Sequence, residues 1–154
     1  SSDLKAKQNS TSKQSRTSDT NQQNRMIKQD FLLAQIEELT KKIARLLRKK
    51  ETNEPDIDTA ADDCYKAFRL NLNSITNLPE DELTELVPDW QLLELLVKIM
   101  LNDTRINHDL NQMEKAQALL YYVQENDRTY SFDRIAMARE LDTLIQNLKS
   151  GNHN

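Results

Sequence analysis

The stretch Pro88–Leu101, PDWQLLELLVKIML, decides how the rest of the chain must fold. Nine of its fourteen residues are large and apolar, and on a helix they point in nearly every direction. A helix that is apolar on almost all sides must be covered by neighbouring elements. It is also shorter than the roughly 20 apolar residues needed to cross a bilayer. The stretch therefore predicts the buried central helix of a soluble helical bundle.

The scarcity of glycine excludes most other folds. The 154 residues include one Gly and three Pro. Sandwiches, barrels and doubly wound sheets need many tight turns with positive φ, which Gly supplies most readily. The common phosphate-binding loops also need several glycines. The composition therefore predicts an all-α domain.

Apolar residues recur at helical spacing on both sides of the central stretch. They predict five long helices plus one short helix, joined as antiparallel helical hairpins, at about residues 24–50, 56–72, 79–87, 88–101, 104–126 and 132–150. A loop is expected at residues 73–77. The last helix is expected to bury Phe132, Ile135, Ala138, Leu141, Leu144, Ile145 and Leu148.

The two ends of the chain are expected to lie outside the helical domain, which would cover residues 25–150. Residues 1–24 hold only two apolar side chains, so they cannot offset the entropic cost of ordering. They predict a disordered basic and polar tail, and residues 151–154 predict a short C-terminal tail.

Charge is distributed unevenly along the chain. Residues 1–50 carry twelve Lys or Arg and five Asp or Glu, a net +7, whereas residues 51–154 carry nine and twenty, a net −11. Such asymmetry is typical either of an ordinary charged helical surface or of a basic end that meets an anionic partner. The candidate anion-contact residues are Lys41, Lys42, Arg45, Arg48, Lys49 and Lys50. Their position in the last turns of a helix is also explained by the helix dipole.

The first helix carries more apolar surface than one neighbouring helix can cover. Its alternation of Ile and Leu is typical of two-stranded coiled coils, but further apolar residues widen the stripe and favour a core-facing helix. The surplus predicts a homodimer. The candidate self-association residues are Phe31, Leu33, Ile36, Leu39, Ile43 and Leu46.

No group of residues has the spacing of a catalytic, metal or cofactor site. Cys64 is the single cysteine and His108 is one of two histidines. We expect a buried structural thiol and a solvated imidazole. The sequence therefore predicts no enzyme activity, no metal and no cofactor. The absence of a signal peptide core and of a membrane span favours the cytoplasm.

Arg25–Leu47, RMIKQDFLLAQIEELTKKIARLL, resembles the opening helix of a family of short, uncharacterised bacterial helical proteins described as tetratricopeptide-like. The match rests on Arg25, Met26, Ile27 and Gln29. The resemblance implies a tetratricopeptide-like bundle of helical hairpins over about residues 25–148 and brings no catalytic residues. The strict 34-residue repeat is not matched, because its Trp, Gly and late Pro are missing.

The sequence thus predicts a non-enzymatic protein–protein interaction module that forms a homodimer, with an unknown protein partner. The alternative is a regulatory nucleic-acid-associated protein that uses the basic tail and the first helix. The acidic remainder of the chain and the lack of aromatic residues near the basic residues count against this alternative.

Overall fold

A computed structural model describes residues 21–129 and 131–151, and for residues 2–20 only the helical backbone. The elements are α1 (Ser2–Glu51), α2 (Ile57–Lys66), α3 (Leu72–Asn77), α4 (Glu80–Leu86), α5 (Trp90–Asn102), α6 (Leu110–Asn126) and α7 (Phe132–Gly151). Within the described residues there is no strand. The prediction of an all-α chain is therefore confirmed.

The chain divides into two compact units. Unit 1 comprises residues 1–37, and unit 2 comprises residues 38–154. Side chains are not described for residues 1–20, which make up most of the predicted disordered tail at residues 1–24. Residues 152–154 of the predicted C-terminal tail also lie outside the described residues. Both tails therefore stay predictions.

Helix α5 is the centre of unit 2, as the sequence predicts. It packs against α2, α6 and α7, while α6 also packs against α4. Its fully buried side chains are Leu93, Leu96, Val97, Ile99 and Met100. Neighbours on several sides are what an all-round apolar helix needs, because each exposed face would leave apolar area in water.

Helices α5, α6 and α7 begin at side-chain caps. The Asp89 carboxylate accepts hydrogen bonds from the backbone N–H groups of Gln91 and Leu92, at 2.9 and 3.1 Å. Asp109 caps α6 in the same way, and the Ser131 hydroxyl accepts from the Arg134 amide at 3.3 Å. These contacts satisfy amides that have no partner inside the helix, which fixes where each helix begins.

Helix α2 ends earlier than the predicted residue 72. The chain leaves it through Arg69, which has a left-handed φ of 60°. The Leu70 amide then donates back to the Tyr65 carbonyl at 3.0 Å. This closure resembles the usual glycine ending of a helix but uses no glycine, so the sequence carries no sign of it.

Residues 73–77 form most of helix α3, and the predicted loop is wrong there. Asn71 and Ser74 form a reciprocal capping box, in which each side chain accepts a hydrogen bond from the other residue's amide. Asn and Ser differ from the usual capping-box pair, which ends in Glu or Gln. The start signal is therefore easily missed.

The C-terminal end of α3 is held by side chains of α6. Lys115 Nζ donates to the carbonyls of Ile75 and Leu78, the latter at 2.8 Å, and Gln112 Nε2 donates to Thr76 at 2.9 Å. Burial lowers the pKa of Lys115. A cation and an amide therefore satisfy the exposed carbonyls of a six-residue helix.

Helix α6 begins at Leu110, six residues after the predicted start. Residues 104–108 form turns instead, because Asp103 is buried and its carboxylate accepts from the Arg105 amide at 3.0 Å. Asp109 then supplies the cap.

The face that α7 buries agrees with the prediction at Leu141 and Ile145 but differs at the start of the helix. Phe132 is 77% exposed, whereas the buried residues of this helix are Arg134, Met137, Leu141 and Ile145. The spacing of these four residues is helical, but a buried arginine does not fit an apolar pattern. The apolar periodicity therefore placed the start of the buried face wrongly.

Candidate interaction surfaces

The predicted self-association residues divide between the two units. Leu39, Ile43 and Leu46 lie in unit 2, where they are buried in the core of a single chain. Phe31 is 72% exposed and Leu33 is 60% exposed in unit 1. Ile36 is half-buried. The second half of the stripe therefore stabilises the bundle itself, and only the first half is open to another molecule.

Unit 1 exposes apolar side chains in two lines. Ile27 and Phe31 are four residues apart and share one face of the helix with Ala34. Met26 and Leu33, seven residues apart, lie on another face. Both lines are exposed, so unit 1 presents more apolar surface than isolated surface residues would.

Three of the predicted anion-contact residues, Lys42, Lys49 and Lys50, have partners close to them. Lys49 Nζ lies 2.8 Å from the Asp56 carboxylate and 3.9 Å from that of Glu54. Lys50 Nζ donates to the Asn102 side chain at 2.9 Å. Lys42 pairs with Glu38 at 4.0 Å, on the next turn of the helix. The charges of Lys42 and Lys49 are therefore partly neutralised within the chain, and the Lys50 ammonium already has a hydrogen-bond acceptor.

Arg45 and Arg48 are different, because neither makes an ion pair within the described part of the chain. Both are exposed, as is Lys41. Arg45 and Arg48 line an open cleft of about 310 Å³ together with Lys49 and Glu54. They lie three residues apart and so project from one face of the helix.

A second surface, which the sequence analysis missed, lies between α4 and α6. We call it the α4–α6 groove. Its volume is about 340 Å³, and its polar and aromatic lining is Glu80, Asp81, Thr84, Tyr121, Tyr122 and Glu125. The signal was present in the spacing of Ala118, Tyr121, Tyr122 and Glu125, which follows helical periodicity beside the core face of α6.

Three buried polar side chains of unit 2, Asp103, Asp127 and Arg134, belong to two networks. In the first, the Tyr65 hydroxyl donates to Asp103 at 2.8 Å, and Arg105 bridges Asp103 to Asp62, with nitrogen–oxygen distances of 3.0 and 2.8 Å. Burial, together with the charge of Asp103, raises the pKa of Tyr65. The Asp62 carboxylate on α2 thereby accepts a hydrogen bond from a residue 43 positions away in the sequence.

The second network is centred on Arg134. Its guanidinium donates to Asp127 at 2.8 Å and to Glu94 at 3.2 Å, and it lies over the Trp90 ring at 5.4 Å. The hydrogen bond from Arg134 holds the pKa of Asp127 below its usual range. Because each buried carboxylate is paired, these residues stabilise the junction of α5, α6 and α7.

Cys64 and His108, the two side chains considered for chemical reactivity, lie where the sequence predicts. Cys64 is fully buried, and burial raises the pKa of its thiol to about 11, so it stays protonated at neutral pH. His108 is exposed. Among the described residues, no three His, Cys, Asp or Glu side chains are grouped so that they could hold a metal ion.

Comparison with protein-family models, with curated proteins and with solved structures found no match. The resemblance of Arg25–Leu47 to a bacterial helical family therefore stays a prediction. None of the described helices combines the length and the apolar character that a membrane crossing requires.

Proposed function

We propose that the chain is a non-enzymatic protein–protein interaction module that self-associates through the exposed apolar residues of unit 1. The observation that carries this proposal is the exposure of Met26, Ile27, Phe31 and Leu33 on one stretch of helix. Exposed apolar patches of this kind usually mark a contact site. Unit 2 has its own buried core, and the contact would bring the unit 2 of one copy together with that of the other.

The energetics support a dimer through this patch. Full burial of one large apolar side chain contributes about 1.5–3 kcal/mol. A symmetric contact would cover the same four side chains on both copies. Their combined burial can offset the loss of translational and rotational freedom on association, which costs about 4–15 kcal/mol.

Light scattering coupled to gel filtration tests the proposal on the full chain. We expect a dimer at micromolar concentration and a monomer for Phe31→Glu, since that change places a charge in the contact. Asn21→Glu is the matched control, because it adds the same charge to an exposed position of α1 whose neighbours on the next turn are Asn24 and Arg25, outside both apolar lines. A wild-type chain that stays monomeric at high concentration would rule out the homodimer.

Three finer proposals accompany this one. A non-catalytic role is supported by the pairing of the buried carboxylates of Asp103 and Asp127 with arginines. A tetratricopeptide-like arrangement of hairpins is supported by the packing of α5 on α6 and of α6 on α7, which are consecutive helices. A reducing compartment such as the cytoplasm suits the buried, unoxidised Cys64.

The nucleic-acid alternative is favoured by one observation, the exposure of Arg45 and Arg48 without described ion pairs. It is weakened by the local partners of Lys42, Lys49 and Lys50. We expect duplex DNA to bind no tighter than about 10⁻⁴–10⁻⁶ M at physiological salt, which is the non-specific range. A nanomolar, sequence-selective complex in a fluorescence anisotropy titration would reverse the ranking.

A further inference from the structure

The α4–α6 groove combines negative charge with aromatic surface. Carboxylates from both walls line it, with Glu80 and Asp81 on α4 and Glu125 on α6, and no Lys or Arg is among its lining residues. Tyr121 is 61% exposed, and Tyr122 is also exposed. The groove therefore has two ring surfaces beside three acidic groups.

This combination selects for a guanidinium group. A carboxylate can accept two parallel hydrogen bonds from one arginine side chain. The face of a tyrosine ring attracts the same planar cation. Lysine could satisfy the charge but not the planar contacts. The groove is thus best matched by an arginine-bearing helix.

The chain itself carries such a helix surface. Arg45 and Arg48 are exposed on α1, and neither is ion-paired within the described part of the chain. Side chains three residues apart on a helix are about 5–6 Å apart, so both can enter one groove. The net charges of residues 1–50 and 51–154, +7 and −11, are also complementary between two copies.

We infer that the α4–α6 groove of one copy receives Arg45 and Arg48 of a second copy. This inference rests on the proposed self-association and adds to it a specific charged contact, made twice in a symmetric dimer. The exposed apolar residues of unit 1 supply most of the affinity. The arginine contact fixes how the two copies are oriented, since charge complementarity contributes more to specificity than to affinity.

Charge reversal on each side of the contact tests the inference. The groove variant is Asp81→Lys with Glu125→Lys, one change on each wall. The arginine variant is Arg45→Glu with Arg48→Glu. The dimer dissociation constant, measured by analytical ultracentrifugation, should rise at least about tenfold for either variant, because like charges then face each other.

A mixture of the two variants supplies the decisive measurement. In a mixed dimer, the reversed groove meets reversed arginines and the native groove meets native arginines, so both contacts are restored. We expect an equimolar mixture to dimerise with close to the wild-type dissociation constant. The matched control is Asp133→Lys with Glu140→Lys on α7, which makes the same charge change outside the groove and should leave the dimer unchanged.

The outcomes separate this inference from the proposed function. If the wild type and both variants dimerise equally well, the inference fails while self-association stands, and the groove would be assigned to a basic partner other than this chain. A monomeric wild type overturns both. If circular dichroism shows that a reversed variant is unfolded, Asp81→Asn with Glu125→Gln replaces it, and an unchanged dissociation constant then overturns the inference.

Discussion

The two units of this chain use the same residue types in different ways. In unit 2, Leu39 and Leu46 of helix α1 are each 1% exposed, whereas Leu33 in unit 1 is 60% exposed. All three lie on the same helix, where Leu39 and Leu46 are seven residues apart on one line and Leu33 flanks that line. The difference shows that periodicity predicts a helix but not what covers it, since burial depends on elements far along the chain.

Leucine truncation should produce the largest difference between the units. We expect Leu46→Ala to lower the free energy of unfolding by about 2–5 kcal/mol, because it leaves a cavity in a packed core. Leu33→Ala should change it by less than about 0.5 kcal/mol. Urea denaturation at low protein concentration, where self-association contributes little, measures both. Equal losses would mean that unit 1 is packed as tightly as unit 2.

Replacement of the buried Arg134 should have the next largest effect on the free energy of unfolding. Arg134→Met keeps an unbranched side chain but leaves Asp127 and Glu94 without their cation. Thr129 still donates to Asp127, so the loss is that of a cation beside a buried carboxylate, which costs about 1–3 kcal/mol. Thermal or urea denaturation should detect it. Arg25→Met, at an exposed position of unit 1, is the control and should have little effect. A comparable loss of stability in Arg25→Met would contradict the role assigned to the burial of Arg134.

Helix capping should have a smaller effect, again confined to unit 2. Asp89→Ala removes the cap of α5 and should cost about 1 kcal/mol. Asp30→Ala removes an exposed carboxylate from the middle of α1 in unit 1, where Ala is the better helix former, and should not destabilise the chain. If the α5 cap variant were as stable as the wild type, the N–H groups at this helix start would have to find other acceptors.

Acid should weaken the Arg134 network. The pKa of Asp127 is lower in the folded chain than in the unfolded chain, where it is near 3.9. Its stabilising contribution is therefore present above that unfolded value and is lost as the pH falls through the folded value. We expect the wild type to lose more stability than Arg134→Met between pH 7 and pH 2. Parallel pH curves in thermal denaturation would exclude this contribution.

Removal of residues 1–24 should have the smallest effect. These residues contain only Leu4 and Ala6 as apolar side chains, so they have little surface to bury. The melting temperature of the remaining chain should stay close to that of the full chain. A marked decrease would show that the segment packs and would make unit 1 part of the stable fold.

The sequence predicted the parts of the fold that depend on local pattern. The burial of α5 and of Cys64 follows from apolar content, residue type and spacing. The Arg134 network does not, because its partner Glu94 lies 40 residues away in the sequence. No local periodicity reports which distant carboxylate will neutralise a buried guanidinium.

The candidate surfaces show the same limit. The stripe from Phe31 to Leu46 was recognised as apolar, but its division into a buried and an exposed half depends on which residues unit 2 covers. The α4–α6 groove was missed because its two walls come from different helices. On α6 alone, Tyr121 and Tyr122 have the spacing of ordinary exposed tyrosines.

The contact of Lys115 with α3 has a consequence for the order in which the helices form. A six-residue helix is too short to be stable by itself. The carbonyls at the end of α3 are satisfied by Gln112 and Lys115, which are 36 to 40 residues away. Helix α3 should therefore form after α6 is in place. Loss of the Lys115 ammonium should then speed unfolding far more than it slows folding.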